Sequence, residues 1–193
     1  MSVTEKIEKY IQDNFNGTID AAIGSSLGAS FVGQLIQRKN IHINHGIFGS
    51  PDLDQCNRVL ASIEGALFIP LLNSFTGSET KRKKTIRKLM TEMSMTENSA
   101  KRFVECIEKF SKTSMKNEFY TDLITYLDDD INVDNTKVHF IYASKMGEKY
   151  KRRYKKHFHN PEIKEFNMNH EQWLYGTDEY RLPVLKAIDD FII

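Results

Sequence analysis

Five consecutive residues, Gly24-Ser25-Ser26-Leu27-Gly28, carry the strongest chemical signal in this chain. A serine placed two residues from a small residue on each side, on a turn from a strand into a helix, is typical of a strained turn that presents a nucleophilic hydroxyl. Side chains at Gly24 and Gly28 would collide with such a turn, so we expect neither position to have room for a Cβ atom. The helix that begins at Leu27 would stabilise negative charge developing near Ser26.

A serine hydroxyl is a weak nucleophile at neutral pH and needs a general base. His170, in Asn167-Met168-Asn169-His170-Glu171, is the candidate because it follows the last predicted strand. A carboxylate on the far ring nitrogen would hold the imidazole and stabilise the imidazolium. The other histidines are interpreted as surface residues or as core residues with satisfied hydrogen bonds; they are His42, His45, His139, His157 and His159.

The hydrophobic pattern predicts the elements that would position these residues. Short apolar or alternating runs predict four strands, and runs with helical spacing predict a helix before the first strand, one after the turn and two near the C-terminus. Strand, helix and strand at this spacing form a parallel βαβ unit. The predicted strands are Ile19–Ile23, Ile41–Phe48, Val138–Tyr142 and Glu162–Phe166; the helices begin near Val3, Leu27, Glu148 and Leu182.

The pattern changes between about Pro51 and Thr136, where we find amphipathic helical stretches and no convincing strand. The sequence therefore predicts an α/β core of residues 1–50 and 137–193, a parallel sheet of about four strands flanked by helices. Residues 51–136 are predicted to form an α-helical cap insertion.

Composition limits the possible partners. The 193 residues carry a formal net charge of +1, which gives no bulk attraction to nucleic acid or to anionic membranes. Two basic runs, Lys81–Lys84 and Lys149–Lys156, are interpreted as solvated helix faces; the second holds tyrosines whose i, i+4 spacing predicts inward packing, and RNA binding is the alternative. Two cysteines favour a reducing compartment, and we expect a cytoplasmic protein without a membrane span, metal or cofactor.

In this order the turn, the insertion and the tail resemble the C-terminal two thirds of an α/β-hydrolase. The family places its nucleophile after the fifth strand, a cap after the sixth, an acid after the seventh and a histidine after the eighth. The resemblance implies Ser26 as nucleophile and His170 as general base. The segment after the third predicted strand, Ala143–Met146, has no carboxylate, so Glu148 is the nearest acid. Asp52 and Asp54 occupy a second acid position that some relatives use.

The resemblance also implies an activity, the hydrolysis of an ester, thioester or small amide through an acyl-Ser26 intermediate. Its oxyanion hole would use the backbone N–H of Leu27 and a second donor from a loop that, in the family, precedes the first helix found here. Without that donor and the strands beside it, we expect impaired activity. We also expect Ile19–Ile23 to lie at an exposed edge of the sheet, where a homodimer could form. A catalytically inactive interaction domain that oligomerises there is the alternative.

Overall fold

The computed structural model describes residues 1–53, 55–64 and 78–193. By their contacts the residues divide into two units. The core unit contains Met1–Leu53, Thr125–Glu171 and Pro183–Ile193, and the helical unit contains Asp54–Ile124 and Gln172–Leu182. In chain order the labelled elements are α1 (Val3–Phe15), β1 (Thr18–Ser25), α2 (Leu27–Arg38), β2 (His42–Gly49), α3 (Glu79–Glu92), α4 (Glu97–Lys109), α5 (Lys112–Ile124), β3 (Lys137–Ala143), α6 (Glu148–His157), β4 (Glu162–Phe166), α7 (Gln172–Tyr175) and α8 (Asp178–Ile192).

A parallel sheet organises the core unit. Among the described residues it has four strands in the order β1-β2-β3-β4. β1 pairs with β2 from Thr18 opposite His42 to Ser25 opposite Gly49, and β4 pairs with β3 at the far side. This arrangement confirms the predicted α/β class, and each predicted strand lies within two residues of an observed one. Because all strands run the same way, the loops that follow them all lie at the carboxyl end of the strands.

Aromatic side chains fill the core between the sheet and α6. The ring of Phe140 stacks on Phe48 with centroids 4.7 Å apart and on Tyr154 at 4.1 Å. Tyr154 is fully buried, and its hydroxyl donates to the carbonyl of Pro51 at 2.6 Å. Burial, reinforced by nearby ionisable groups, raises the pKa of this hydroxyl far above its usual value. Tyr150 also packs against this core, so both tyrosines of the basic helix face inward, as their spacing predicts.

An ion pair between the buried Glu8 and the more exposed Arg38 joins α1 to the end of α2. Arg38 donates to the two carboxylate oxygens of Glu8 at 2.6 and 3.1 Å, and Asn40 donates to the second at 3.1 Å. The hydrogen bond from Arg38 lowers the pKa of Glu8, against the opposing effect of burial. A buried carboxylate is stable only when its hydrogen-bonding capacity is filled, so this network fixes how α1 lies on the unit.

The helical unit contains no strand in its described residues. Two of its helices begin at hydroxyl caps: Ser78 accepts from the N–H of Lys81 at the start of α3, and Thr96 accepts from the N–H of Ser99 at the start of α4. Ala100 and Val104 of α4 are buried. Across the residues that the structure describes, no helix is long and apolar enough to cross a membrane.

Candidate functional site

Ser26 occupies a strained turn between β1 and α2. Its backbone has φ 50° and ψ −125°, outside the regions that residues with a side chain ordinarily adopt. A conformation of this kind costs about 1–3 kcal/mol and persists only when its surroundings impose it. Ser26 precedes the first residue of α2, yet its hydroxyl does not cap the helix. Ser2, Ser78 and Thr96 do cap theirs. The turn therefore keeps the Ser26 hydroxyl out of the local hydrogen bond that serine usually makes in this position.

The two glycines that flank the turn have different roles. A Cβ atom at Gly24 would overlap the backbone carbonyl of Gly28 and lie 2.6 Å from the amide nitrogen of Ala29. A Cβ atom at Gly28 would meet nothing within 4 Å. The expectation that both positions exclude a side chain is thus correct for Gly24 and wrong for Gly28. The reason is that the close approach is made by the Gly28 backbone, which any residue would supply.

Leu27 places a backbone donor next to Ser26. As the first residue of α2, its N–H has no acceptor within the helix. The positive end of the helix dipole adds to the donor at the same point. This geometry can stabilise an oxyanion formed beside Ser26.

The loop that follows β4 places His170 near the carboxyl end of β1. The Ser25 hydroxyl donates to the Glu171 carboxylate at 2.8 Å, which ties this loop to the turn. The backbone N–H of Lys145 donates to the carbonyl of Met168 at 3.2 Å, which ties it to the loop after β3. The neighbours of Ser26 and of His170 are therefore in direct contact. No hydrogen bond between Ser26 and His170 themselves occurs among the described residues.

Two of the three predicted acids, Glu148 and Asp52, lie in the described residues, and neither makes an ion pair with His170 there. Glu148 is exposed at the first turn of α6, where the helix dipole favours a carboxylate, and it makes no ion pair with His170. Asp52 is half-buried after β2, and its main-chain carbonyl accepts from Arg153 at 2.9 Å. Asp54 lies outside the described residues.

Glu171 is a polar residue of this site that the sequence reasoning did not single out. Its position next to His170 was the available signal, since a carboxylate adjacent to a candidate base is a natural partner. The order of strands in the α/β-hydrolase family predicts an acid in the loop after β3 instead. The contact with Ser25 becomes apparent only once the loops after β1 and β4 lie side by side.

The side chains of four other histidines have hydrogen-bond partners: His45, His139, His157 and His159. His139 is buried on β3, with Nδ1 at 2.9 Å from Glu162 and Nε2 at 3.1 Å from Nδ1 of His45. Burial lowers the pKa of His139, although Glu162 acts in the opposite direction. His139 and Glu162 lie at the amino ends of their strands, away from the carboxyl end of β1 where Ser26 lies. Within the described residues, no cluster of His, Cys, Asp and Glu could hold a metal ion.

The helical unit contains a largely apolar cavity of its own, of about 470 Å³. Phe103 and Tyr175, whose rings are 5.2 Å apart, form part of its wall. Arg102 and Arg181 add cationic groups at the same cavity, and Arg181 also pairs with Asp178 at 2.8 Å. Such a lining suits an apolar ligand that carries a polar or anionic group.

Comparison with solved structures supports the fold. A crystal structure from Desulfitobacterium hafniense, of a protein assigned provisionally to the α/β-hydrolase family, matches this chain with a TM-score of 0.64 at 14% sequence identity. The match covers 96% of this chain and 74% of that one. No family model and no curated protein matches the chain. At this level of identity the likeness establishes a hydrolase-like α/β fold.

The asymmetry between the two glycines predicts opposite effects of alanine. We expect Gly24→Ala to lower the free energy of unfolding by about 2–3 kcal/mol or more, because the methyl group overlaps backbone that cannot move aside. Gly28→Ala should be neutral or stabilise by up to about 1 kcal/mol, since alanine favours the helix. Urea denaturation of the two variants measures this difference. Equal destabilisation by both would contradict the described geometry of the turn.

The buried His139 predicts a dependence of stability on pH. Its pKa is lowered in the folded chain, so the unfolded chain takes up the proton first as the pH falls through about 6.5. The stabilising effect of the neutral imidazole is therefore complete above that pH and is lost below it. We expect the melting temperature to fall between pH 7 and pH 5, and His139→Asn to remove part of this fall. A fall as steep in His139→Asn as in the unchanged chain would contradict this prediction.

Proposed function

We propose that this protein is an α/β-hydrolase-type serine hydrolase that acts on an ester, thioester or small amide. The observation that carries the proposal is the backbone of Ser26, held at φ 50° and ψ −125° at the carboxyl end of a parallel strand and at the start of a helix. Backbone strain of this kind is concentrated at functional sites. A strained serine on a turn from a strand into a helix is typical of a nucleophile. The hydrolase-like fold and the loop that brings His170 toward the turn add support.

In the proposed reaction, Ser26 Oγ attacks the carbonyl carbon of the substrate while its proton passes to the His170 imidazole. The negative charge moves onto the carbonyl oxygen, where the Leu27 N–H and the helix dipole of α2 stabilise it. The tetrahedral intermediate then expels the alcohol, thiol or amine, which takes the proton from His170. Water, deprotonated by the same imidazole, releases the acid and restores Ser26.

Covalent labelling tests this proposal because it depends on the first chemical step alone. We expect a fluorophosphonate probe to modify the chain at Ser26, identified by peptide mapping, and Ser26→Ala to abolish the modification. His170→Asn should slow labelling by about 100-fold or more, the usual contribution of a general base.

The control is Ser111→Ala, which removes an exposed hydroxyl bonded to Ser114 in the helical unit. This variant should label at the rate of the unchanged chain. A folded chain that takes up no probe, or takes it up equally in Ser26→Ala, would contradict the proposal.

A second candidate function is an interaction domain that pairs with a second copy of itself. It is favoured by the position of β1, which pairs with β2 alone among the described strands and carries Ile23 with half of its surface exposed. A parallel edge strand presents unpaired N–H and carbonyl groups along its length. We propose that the edge at Ile19–Ile23 is where two copies would meet.

Sedimentation at micromolar concentration tests this second candidate. We expect the chain to sediment as a dimer or larger, and Ile23→Lys to shift it toward the monomer because a charge on an edge strand opposes pairing. Ile63→Lys is a matched control, since Ile63 and Ile23 are both 51% exposed and Ile63 lies in the helical unit. A strictly monomeric unchanged chain would exclude pairing through this edge.

A further inference from the structure

Glu171 is held in an unfavourable backbone conformation at the candidate site. Its φ is 56°, in the left-handed region that glycine and asparagine enter more readily than glutamate does. Such a residue keeps this conformation when contacts of its own or of its neighbours fix it. The Glu171 side chain accepts a hydrogen bond from Ser25.

The two oxygens of the Glu171 carboxylate lie next to different parts of the candidate site. One oxygen, Oε1, accepts from the Ser25 hydroxyl at 2.8 Å, one residue before Ser26. The other oxygen, Oε2, lies 3.9 Å from Nε2 of His170. The side chain is 20% exposed, so its charge is screened less than that of a surface carboxylate.

Ser25 gives this carboxylate a fixed position. The Ser25 hydroxyl has one proton, which it donates to Glu171 at the shorter distance of 2.8 Å, and the carbonyl oxygen of Gly49 is a second acceptor at 3.1 Å. The carboxylate is therefore tied, through the Ser25 side chain, to the carboxyl end of β1. A tether of this kind limits the rotamers available to Glu171 and so the range of places its charge can occupy.

The two ring nitrogens of His170 have different surroundings. Nε2 is the one that lies 3.9 Å from Glu171, whereas Nδ1 is buried and has no hydrogen-bond partner among the described residues. A neutral imidazole that carries its proton on Nε2, beside the carboxylate, keeps Nδ1 as the acceptor for a second proton. The His170 side chain is 39% exposed, so packing alone does not hold the ring. In the described part of the chain, Glu171 is the carboxylate within 4 Å of a ring nitrogen of His170. The acid that the sequence favoured, Glu148, is exposed and makes no such contact.

We infer that Glu171 is the positioning residue of His170, and that Ser25 holds the Glu171 carboxylate in place for this role. The inference rests on the proposed function. When the Ser26 proton passes to His170, the imidazolium forms beside the ionised carboxylate, which stabilises the positive charge and stays unprotonated throughout. Ser25 thus acts on His170 indirectly, by holding Glu171, while Ser26 forms the bond to the substrate.

Titration of the His170 imidazole by NMR tests this inference without requiring any activity. The His170→Asn spectrum identifies its signals among those of the six histidines. Glu171→Gln removes the charge and keeps the shape, and we expect it to lower the midpoint of the His170 titration by about 0.5 pH unit, the effect of one partly screened ion pair. Ser25→Ala should lower the midpoint by a smaller amount, since the carboxylate loses its tether.

Glu148→Gln is the matched control, because it removes the acid that sequence position favours. Its midpoint should equal that of the unchanged chain. An unchanged midpoint in Glu171→Gln, or a shift as large in Glu148→Gln, would overturn the inference. If Glu171→Gln fails to fold, the shift in Ser25→Ala decides the question alone. Fluorophosphonate labelling separates the two proposals: an unlabelled chain in which Glu171 still shifts the His170 titration contradicts the function and leaves the positioning contact in place.

Discussion

The close approach of the Gly28 backbone to Gly24 is the contact on which the candidate site depends. The chain has to leave β1 and enter α2 within one residue, and it does so by passing the first turn of the helix directly over the end of the strand. Only a residue without a side chain fits at Gly24 beneath that turn. Ser26, at the apex, takes up the strain in its own backbone, and its hydroxyl is left free of the capping bond.

The parallel sheet converts this local turn into a site. The four strands that the structure describes run the same way, so the loops that follow them lie at one end of the sheet and residues far apart in sequence become neighbours there. Ser25 and Glu171 are separated by 146 positions and share a hydrogen bond. The aromatic rings of Phe48, Phe140 and Tyr154 pack β2, β3 and α6 together beneath these loops. Packing in the core unit therefore determines the relative position of the loops.

The question of the acid shows how a site can depart from the pattern of its fold. Strand order points to the loop after β3, where the sequence has no carboxylate until Glu148, and that residue is exposed at a helix N-terminus. The contact geometry points to Glu171, which lies beside His170 in sequence and beside Ser25 in space. The effect of a carboxylate on an imidazole depends on their distance and burial and not on the place of the carboxylate in the strand order. The carboxylate beside His170 is therefore identified by the fold.

The sequence alone determined the class of the fold, the strands and the position of Ser26. Alternating and apolar runs define strands by their period, and a turn between two glycines is a local signal. Local signals were weaker where a neighbour decides the outcome: the helix predicted from Leu182 begins at Asp178 despite Pro183, and Gly28 has room that its symmetry with Gly24 did not suggest. The tertiary structure alone decided the pairing of Ser25 with Glu171 and that no ion pair joins Glu148 to His170 among the described residues. Contacts between distant residues depend on how loops lie against one another, and no residue pattern along the chain records that geometry.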